Sequence, residues 1–471
     1  MTAQSGRVKA GSEKTKGTEG GKSMDRTTTR RSFLGASGAA VTAGLAGASG
    51  YAAGASAKPG PNDTINLGLI GCGARGKGEF IKFYTQQTGV RFTAVCDVNS
   101  TYLAEAREKA GGERVAAYKD YRKLVEDKNV DAVIVVTNQQ WHALPTIAAC
   151  QAGKDVFLEK PMGQSIGEGP YVIEAARKYN RIIQVGTQQR SMEHYQKAVE
   201  LIHNGGLGEI SEVKVWDYDN YWPGSGFPPD CAPPAELDWD FYVGPSPWRA
   251  YNPNIYYKYG YDWFKVSGGG HQVAWGVHHF DIVLWALQVS APKTVYATGG
   301  HLAYEDNFEY PNTFSATLEF GPGPVAKHGF LLQYTMRYGN RRETRSHGKC
   351  FFGTKASLML DRSGYYLVPD VGKGARLDPA QPLVNPEQAV LAGQDRYRHF
   401  ELFLENLRAR KEPNATPQTL HNATTVAHLM NISWEVGRSI RWDAARQGVV
   451  DDPKADALVT RPYRAPWKLE V

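Results

Sequence analysis

Residues 71–76 read Gly71-Cys72-Gly73-Ala74-Arg75-Gly76, three glycines at the spacing that brings a backbone against a pyrophosphate. In such a loop Gly71 makes the tight turn out of a strand. Gly73 lets the chain approach the phosphates, and Gly76 lets the following helix pack closely. Ala74 and Arg75 stand where the helix begins and its free N–H groups face an anion. Asp97 closes the next strand-like run, Arg91–Cys96, where a carboxylate binds the hydroxyls of an adenosine ribose. That favours NAD. Arg75 is a cation within reach of a 2′-phosphate, which keeps NADP open. The chemistry that follows is hydride exchange with a nicotinamide.

The loop does this work only between a strand and a helix, and both are expected. Ile65–Ile70 is a short apolar strand, and an amphipathic helix is expected over 77–87. Buried strands follow at 132–136, 155–158 and 181–185, with helices at 145–152 and 168–179 between them. Such alternation specifies an α/β fold with a doubly wound parallel sheet, whose ligands bind beyond the C-terminal strand ends. Thr137, Asn138, Glu159 and Lys160 stand at two such ends.

Beyond 186 the pattern changes. Strand-like runs recur at 210–219, 293–299, 312–320, 325–336, 348–352, 356–361 and 364–368, and helical patterns at 394–410 and 416–438. Three segments are expected: a leader at 1–57, a Rossmann nucleotide-binding domain at 58–185, and an α+β substrate and oligomerisation domain at 186–471.

The leader is read from Thr29-Arg30-Arg31-Ser32-Phe33-Leu34, a weakly apolar stretch from Gly35 to Gly54, and Ala55-Ser56-Ala57. Twin arginines, such a stretch and an A-x-A site describe a twin-arginine export signal, with a periplasmic or secreted destination. The stretch is too glycine-rich for stable membrane insertion. The leader holds eight basic and three acidic residues, so +5 of the chain's net +6 lies there. The remainder is nearly neutral, which argues against nucleic acid as a partner. Five cysteines without a CxxC pair suggest neither a disulfide framework nor a cysteine metal site.

Glu159-Lys160-Pro161 after the Rossmann unit carries a resemblance, together with the Gly71–Gly76 loop, Asp97 and Thr137 to His142. Gly186-Thr187-Gln188-Gln189-Arg190, Gly268-Gly269-Gly270 and His278-His279-Phe280-Asp281 add to it. From about Ile65 onward the chain resembles the Gfo/Idh/MocA family, the glucose–fructose oxidoreductase and inositol dehydrogenase group. The resemblance implies a second domain built on a large, mostly antiparallel, open-faced sheet, and dimers or tetramers formed through it. It implies a sugar, polyol or glycoside oxidised at a secondary hydroxyl with NAD(P); export in the folded state, to where free NAD(P) is scarce, calls for that cofactor to be tightly held. It adds His142, Glu159, Lys160 and Gln188 to the cofactor site. Lys160 would orient the substrate and stabilise its oxygen, while His278 would accept the hydroxyl proton.

One position departs from the family. An Asp is usual four residues before the His, and here that residue is Ala274. His271, two helical turns before His278, is a substitute, with Trp275 and Asp281 as further substrate contacts. His279 and Asp281 also suit capping or packing of this helix, and no metal is expected from the cluster. Aromatic residues crowd the loop from 220 to 266, among them Tyr221, Trp222, Trp239, Tyr242, Tyr251, Tyr256, Tyr257 and Tyr259. Their faces suit sugar rings, although most also suit core anchoring. Two other readings stay open: a glycosidase that oxidises its sugar transiently and eliminates, and a sugar-binding protein without catalysis.

Overall fold

Short runs that are apolar on both faces make strands only when helices cover both sides. Those of the N-terminal half form β1 (Ile65–Ile70), β2 (Val90–Cys96), β3 (Ala116–Tyr118), β4 (Ala132–Val135), β5 (Asp155–Leu158) and β6 (Ile183–Val185). The computed structural model describes residues 64–219, 224–256, 260–341, 345–370, 389–391, 393 and 397–471. The leader, Tyr221, Trp222, Tyr257, Tyr259 and the first three residues of the 394–410 pattern lie outside them.

The first sheet has the order β3-β2-β1-β4-β5-β6, with every pairing parallel. It is the α/β Rossmann sheet that the alternation predicted. Strand order reverses between β1 and β4, which opens a crevice at their C-terminal ends. The helix after β1 runs from Ala74 to Tyr84, with a π register over Gly76–Ile81, rather than over 77–87.

The C-terminal segments complete this layer. Phe400, Phe403, Leu404 and Leu407 of the helix Arg398–Ala409 join Leu67, Phe80 and Phe157 in one core. Ala415, Leu420 and Trp467 pack against the other, with Leu144, Ile147 and Val156. Phe157 meets Phe403 edge-on at 5.5 Å.

Strict alternation builds the second sheet. In Thr313–Phe320 the residues Phe314, Ala316, Leu318 and Phe320 point inward, while Ser315, Thr317 and Glu319 face out. The ten strands are β7 (Ile210–Asp219), β8 (Thr294–Gly300), β9 (Thr313–Phe320), β10 (Phe330–Tyr338), β11 (His347–Gly353), β12 (Ala356–Asp361), β13 (Gly364–Pro369), β14 (Ala389–Leu391), β15 (Ile440–Asp443) and β16 (Gly448–Val450). Their order is β14-β13-β12-β11-β7-β10-β9-β8-β15-β16. Only β7 and β10 pair in parallel. One face packs on the helices Glu193–His203, Gly276–Leu287 and Pro417–Val436, and the other exposes Tyr296 and Leu331.

Gly276–Leu287 is apolar almost all round and is accordingly buried on nearly every side. It is not continuous with the expected helix before it. The chain forms His271–Ala274, breaks at Trp275, and restarts at Gly276. Among the described residues no helix is long and apolar enough to cross a membrane.

Candidate active site

The three glycines divide their tasks by geometry. Gly71 has φ +99°, and a Cβ there would lie 2.6 Å from the Val136 carbonyl oxygen. A Cβ on Gly76 would lie 2.3 Å from the Gly71 carbonyl oxygen, whereas nothing stands within 4 Å of one on Gly73. The loop is therefore closed behind and open in front, which is the cradle a pyrophosphate requires. In front of it a cleft is lined by Gly71, Gly73, Asp97, Thr137, Asn138 and Tyr242.

Asp97 is held rigidly at the cleft. Its Oδ2 accepts the Cys72 N–H at 2.6 Å and its Oδ1 the Asn99 N–H at 2.7 Å. Asn99 in turn caps the helix Ser100–Ala110 and donates to Tyr256 Oη at 2.8 Å. Burial raises the Asp97 carboxyl, and those two N–H groups oppose the rise. Tyr102, Lys119, Tyr121 and Tyr256 line the same cleft as Asp97, a role the sequence pattern did not single out for them. Tyr242 and Tyr256, read as platforms for sugar rings, instead line the nucleotide cleft. Asn138 Nδ2 donates to Tyr242 Oη at 2.6 Å.

Arg75 does not reach toward a ribose phosphate. Its Nε and Nη2 donate to Glu159 Oε1 at 2.8 and 2.6 Å, and its Nη1 to Glu79 at 2.7 Å. Glu159 is buried, and burial alone would raise it. The Arg75 and Lys160 cations beside it hold it below the ordinary carboxylate range. His142 does not face the nucleotide cleft with a free ring nitrogen either. It is buried with Nδ1 at 2.5 Å from the Pro161 carbonyl and Nε2 at 3.0 Å from that of Thr137. It ties two strand-end loops together and has no ring nitrogen left for a cofactor. Gln188 keeps a buried Oε1 without a partner.

Lys160, before the cis bond to Pro161, reaches across to the second domain. Its Nζ donates to the Ala274 carbonyl at 2.8 Å, so the lysine meets the position where the acid is missing. Burial pulls this lysine down, while Glu159 and Asp262 oppose the fall. Asp262 escaped the sequence reading. It sits on the turn Gly260–Trp263, and its Oδ1 accepts from Gln139 at 3.0 Å. A Cβ on Gly268 would lie 2.5 Å from its backbone, and its carbonyl accepts the Gly270 N–H at 2.7 Å. The three-glycine run thus lets a carboxylate enter beside Lys160. Burial pushes that carboxyl up to about 6.

His278 is 3% exposed, and its Nδ1 has no hydrogen-bond partner. Burial, then the cations Arg362 and Lys160, hold it well below the usual imidazole range. It is a neutral imidazole at neutral pH. His271 is no substitute on the same helix face, because the break at Trp275 separates the two. Its Nδ1 meets Tyr338 Oη at 2.8 Å, and its ring stacks on Trp263. Asp281 is no substrate contact either, because the buried Arg190 guanidinium holds it at 2.8 Å. Trp275 stands between His271, at 6.3 Å, and His278, at 5.5 Å.

Residues 65–187 match the family model described as an oxidoreductase family, NAD-binding Rossmann fold. Residues 382–469 match that family's C-terminal alpha/beta domain. A myo-inositol 2-dehydrogenase of Thermotoga maritima is 32% identical over 155 residues, which are 33% of this chain and 46% of the relative. The chain thus spans about half the length of the curated relatives it matches first. Its fold matches scyllo-inositol dehydrogenase from Lactobacillus casei with bound NAD(H) and scyllo-inositol. The TM-score is 0.57 at 19% identity, over 80% of this chain and 99% of that one. It also matches aldose-aldose oxidoreductase from Caulobacter crescentus, at 0.58 and 17% over 80% and 100%.

Two alanine substitutions separate the tasks of the loop. Gly76→Ala drives a Cβ into backbone and should lower both the stability of the free protein and its NAD affinity, the latter by about tenfold or more. Gly73→Ala points into open space and should spare stability while weakening NAD comparably. Melting temperatures with and without NAD check both, and equal behaviour of the two variants would contradict the assignment. This cradle lies within the segment that matches the NAD-binding Rossmann fold of the Gfo/Idh/MocA oxidoreductase family, and a C-terminal segment matches that family's alpha/beta domain.

Proposed function

We propose that this chain is an NAD-dependent dehydrogenase that oxidises a secondary hydroxyl of a sugar, polyol or glycoside, with Lys160 and His278 as its catalytic residues. One observation carries the reading. A partly buried lysine anchored at Ala274 and a neutral, partnerless histidine stand together beyond the C-terminal ends of an NAD-binding sheet. Oxidising an alcohol needs a proton acceptor in its deprotonated form, and a cation beside the oxygen stabilises the negative charge that develops there. His278 meets the first need, with its imidazole kept neutral by burial and by Arg362. Lys160 meets the second. Its Nζ keeps further protons to donate once the Ala274 carbonyl has taken one. The nucleotide, when bound, supplies the hydride acceptor. Asp97, with both oxygens pinned, would receive ribose hydroxyls and repel a 2′-phosphate, so NAD is preferred over NADP.

The arginine pair at 30–31 supports export in the folded state. A cofactor carried out of the cytoplasm has to be held tightly and recycled in place. Ala274 also favours a second reading, in which the same oxidation starts an elimination and the hydride returns after glycoside cleavage. The open, alternating face of the second sheet supports a homo-oligomer.

Lys160→Ala and His278→Ala should each lower turnover by about 10²- to 10⁴-fold, as loss of a positioned acid–base group does. Steady-state rates with a polyol and glycoside panel check this, and full activity in either variant would remove that residue from the mechanism.

The acid limb of the pH profile should belong to Asp262. Its carboxyl, raised to about 6, is charged above that pH and steadies the Lys160 ammonium. kcat/KM should therefore fall as pH drops through about 6, while His278, held well below the usual imidazole range by burial and Arg362, takes up its proton at lower pH than an ordinary histidine. Asp262→Asn should flatten this limb. The same limb in that variant would assign it elsewhere.

A further inference from the structure

Arg362 occupies the two-residue turn between β12 and β13, and its guanidinium points back into the protein instead of out to water. It lies 4.4 Å over the Trp275 ring. Its Nε and Nη2 are buried and have no hydrogen-bond partner. Buried charged donors are almost always paired, because leaving one unsatisfied costs its full desolvation.

The nearby carboxylates are engaged elsewhere. Asp361, its neighbour in sequence, holds Arg345 with Oδ2 and accepts the Ser363 N–H with Oδ1 at 2.7 Å. Asp217 is bound by His279 at 3.2 Å and by Tyr334 at 3.2 Å. Glu159 and Glu79 are bound by Arg75.

The same indole ring gathers two more partnerless ring nitrogens. His278 lies 5.5 Å and His347 5.6 Å from Trp275, centroid to centroid, and His278 Nδ1 and His347 Nε2 are both unsatisfied. Lys160, Arg75 and Lys349 add positive charge around His278. Donors without acceptors thus converge on one place, beside a guanidinium whose Nε and Nη2 hold no counter-charge. Nε and Nη2 form one edge of a guanidinium, a fork that matches the two oxygens of a carboxylate. A neutral hydroxyl would satisfy one hydrogen bond but none of the charge.

We propose that Arg362 is the anion clamp of the substrate site, and that the preferred substrate is a sugar or polyol bearing a carboxylate, gripped side-on by Nε and Nη2 while its reacting hydroxyl faces Lys160 and His278. The hydroxyl's place rests on the dehydrogenase reading above; the clamp rests on Arg362 alone. Burial pulls the guanidinium below its ordinary range, which an anion would reverse. His347, pressed down to about 4 by burial and by Arg362, is neutral and able to share a proton with a carboxylate oxygen.

The test uses the full chain with NAD and two probe pairs, D-glucuronate against D-glucose and D-galacturonate against D-galactose. Binding is read by calorimetry and melting temperature, and hydride transfer by formation of NADH. The acids should bind at least about tenfold more tightly than their neutral partners. Arg362→Met should weaken the acids by about 100-fold, and Arg362→Lys, which keeps the charge but loses the fork, by less. An NAD-dependent rise in melting temperature marks each variant as folded, and Arg362→Lys carries the comparison if Arg362→Met does not fold. Equal binding of acid and neutral probes, no binding of either, or acid binding indifferent to both substitutions would overturn the clamp. Acid binding that depends on Arg362 but yields no NADH would support the clamp and defeat the dehydrogenase reading. NADH formed equally from neutral and acid probes would do the opposite.

Discussion

The site depends on one buried carboxylate. Glu159 leaves the end of β5 and accepts Arg75 from the nucleotide loop together with the N–H of Lys160. It also sets the next turn, since a Cβ on Gly186 would lie 2.9 Å from its carboxyl carbon. One side chain thus fixes the helix after β1, the lysine beyond β5 and the turn after β6. Arg75 is one-third exposed and also pairs with Glu79, but Glu159 is almost fully buried, so taking Arg75 away leaves a carboxylate behind in low dielectric without its main counter-charge. The nucleotide loop and Lys160 therefore cannot shift independently.

From that anchor the arrangement crosses to the second domain through Lys160 and the Ala274 carbonyl. The helix His271–Ala274 ends there, Trp275 turns the chain, and His278 enters on the next helix. The break supplies a free carbonyl for the lysine and moves His271 away from His278. It also seats the Trp275 ring where β12 and β13 deliver Arg362. The carboxylate absent from position 274 has a counterpart in Asp262, which arrives by a different route beside the same lysine.

The elements were legible because their patterns are local. Glycine spacing named the loop, apolar runs named the parallel strands, and strict alternation named β9 and β10. The strands β15 and β16 at one end of the second sheet, of four and three residues, are too short to show a period. The site was legible only where a residue's partner lies nearby in sequence. Asp281 looks like a substrate contact until Arg190, 91 positions away, is seen to hold it. His142 looks like a ligand until Pro161 and Thr137 take both nitrogens. Asp262 and Arg362 carry no sequence signal at all, because a turn under three glycines and a hairpin end bring them to Lys160 and His278 only in the folded chain.

The central claim is that this chain binds and retains NAD at the Gly71–Gly76 cradle. It is tested most directly by denaturing the purified protein and measuring the nucleotide released by mass spectrometry. The account predicts close to one NAD(H) per chain, with NAD in excess over NADP. Release of no nucleotide, together with a melting temperature that added NAD leaves unchanged, would contradict it.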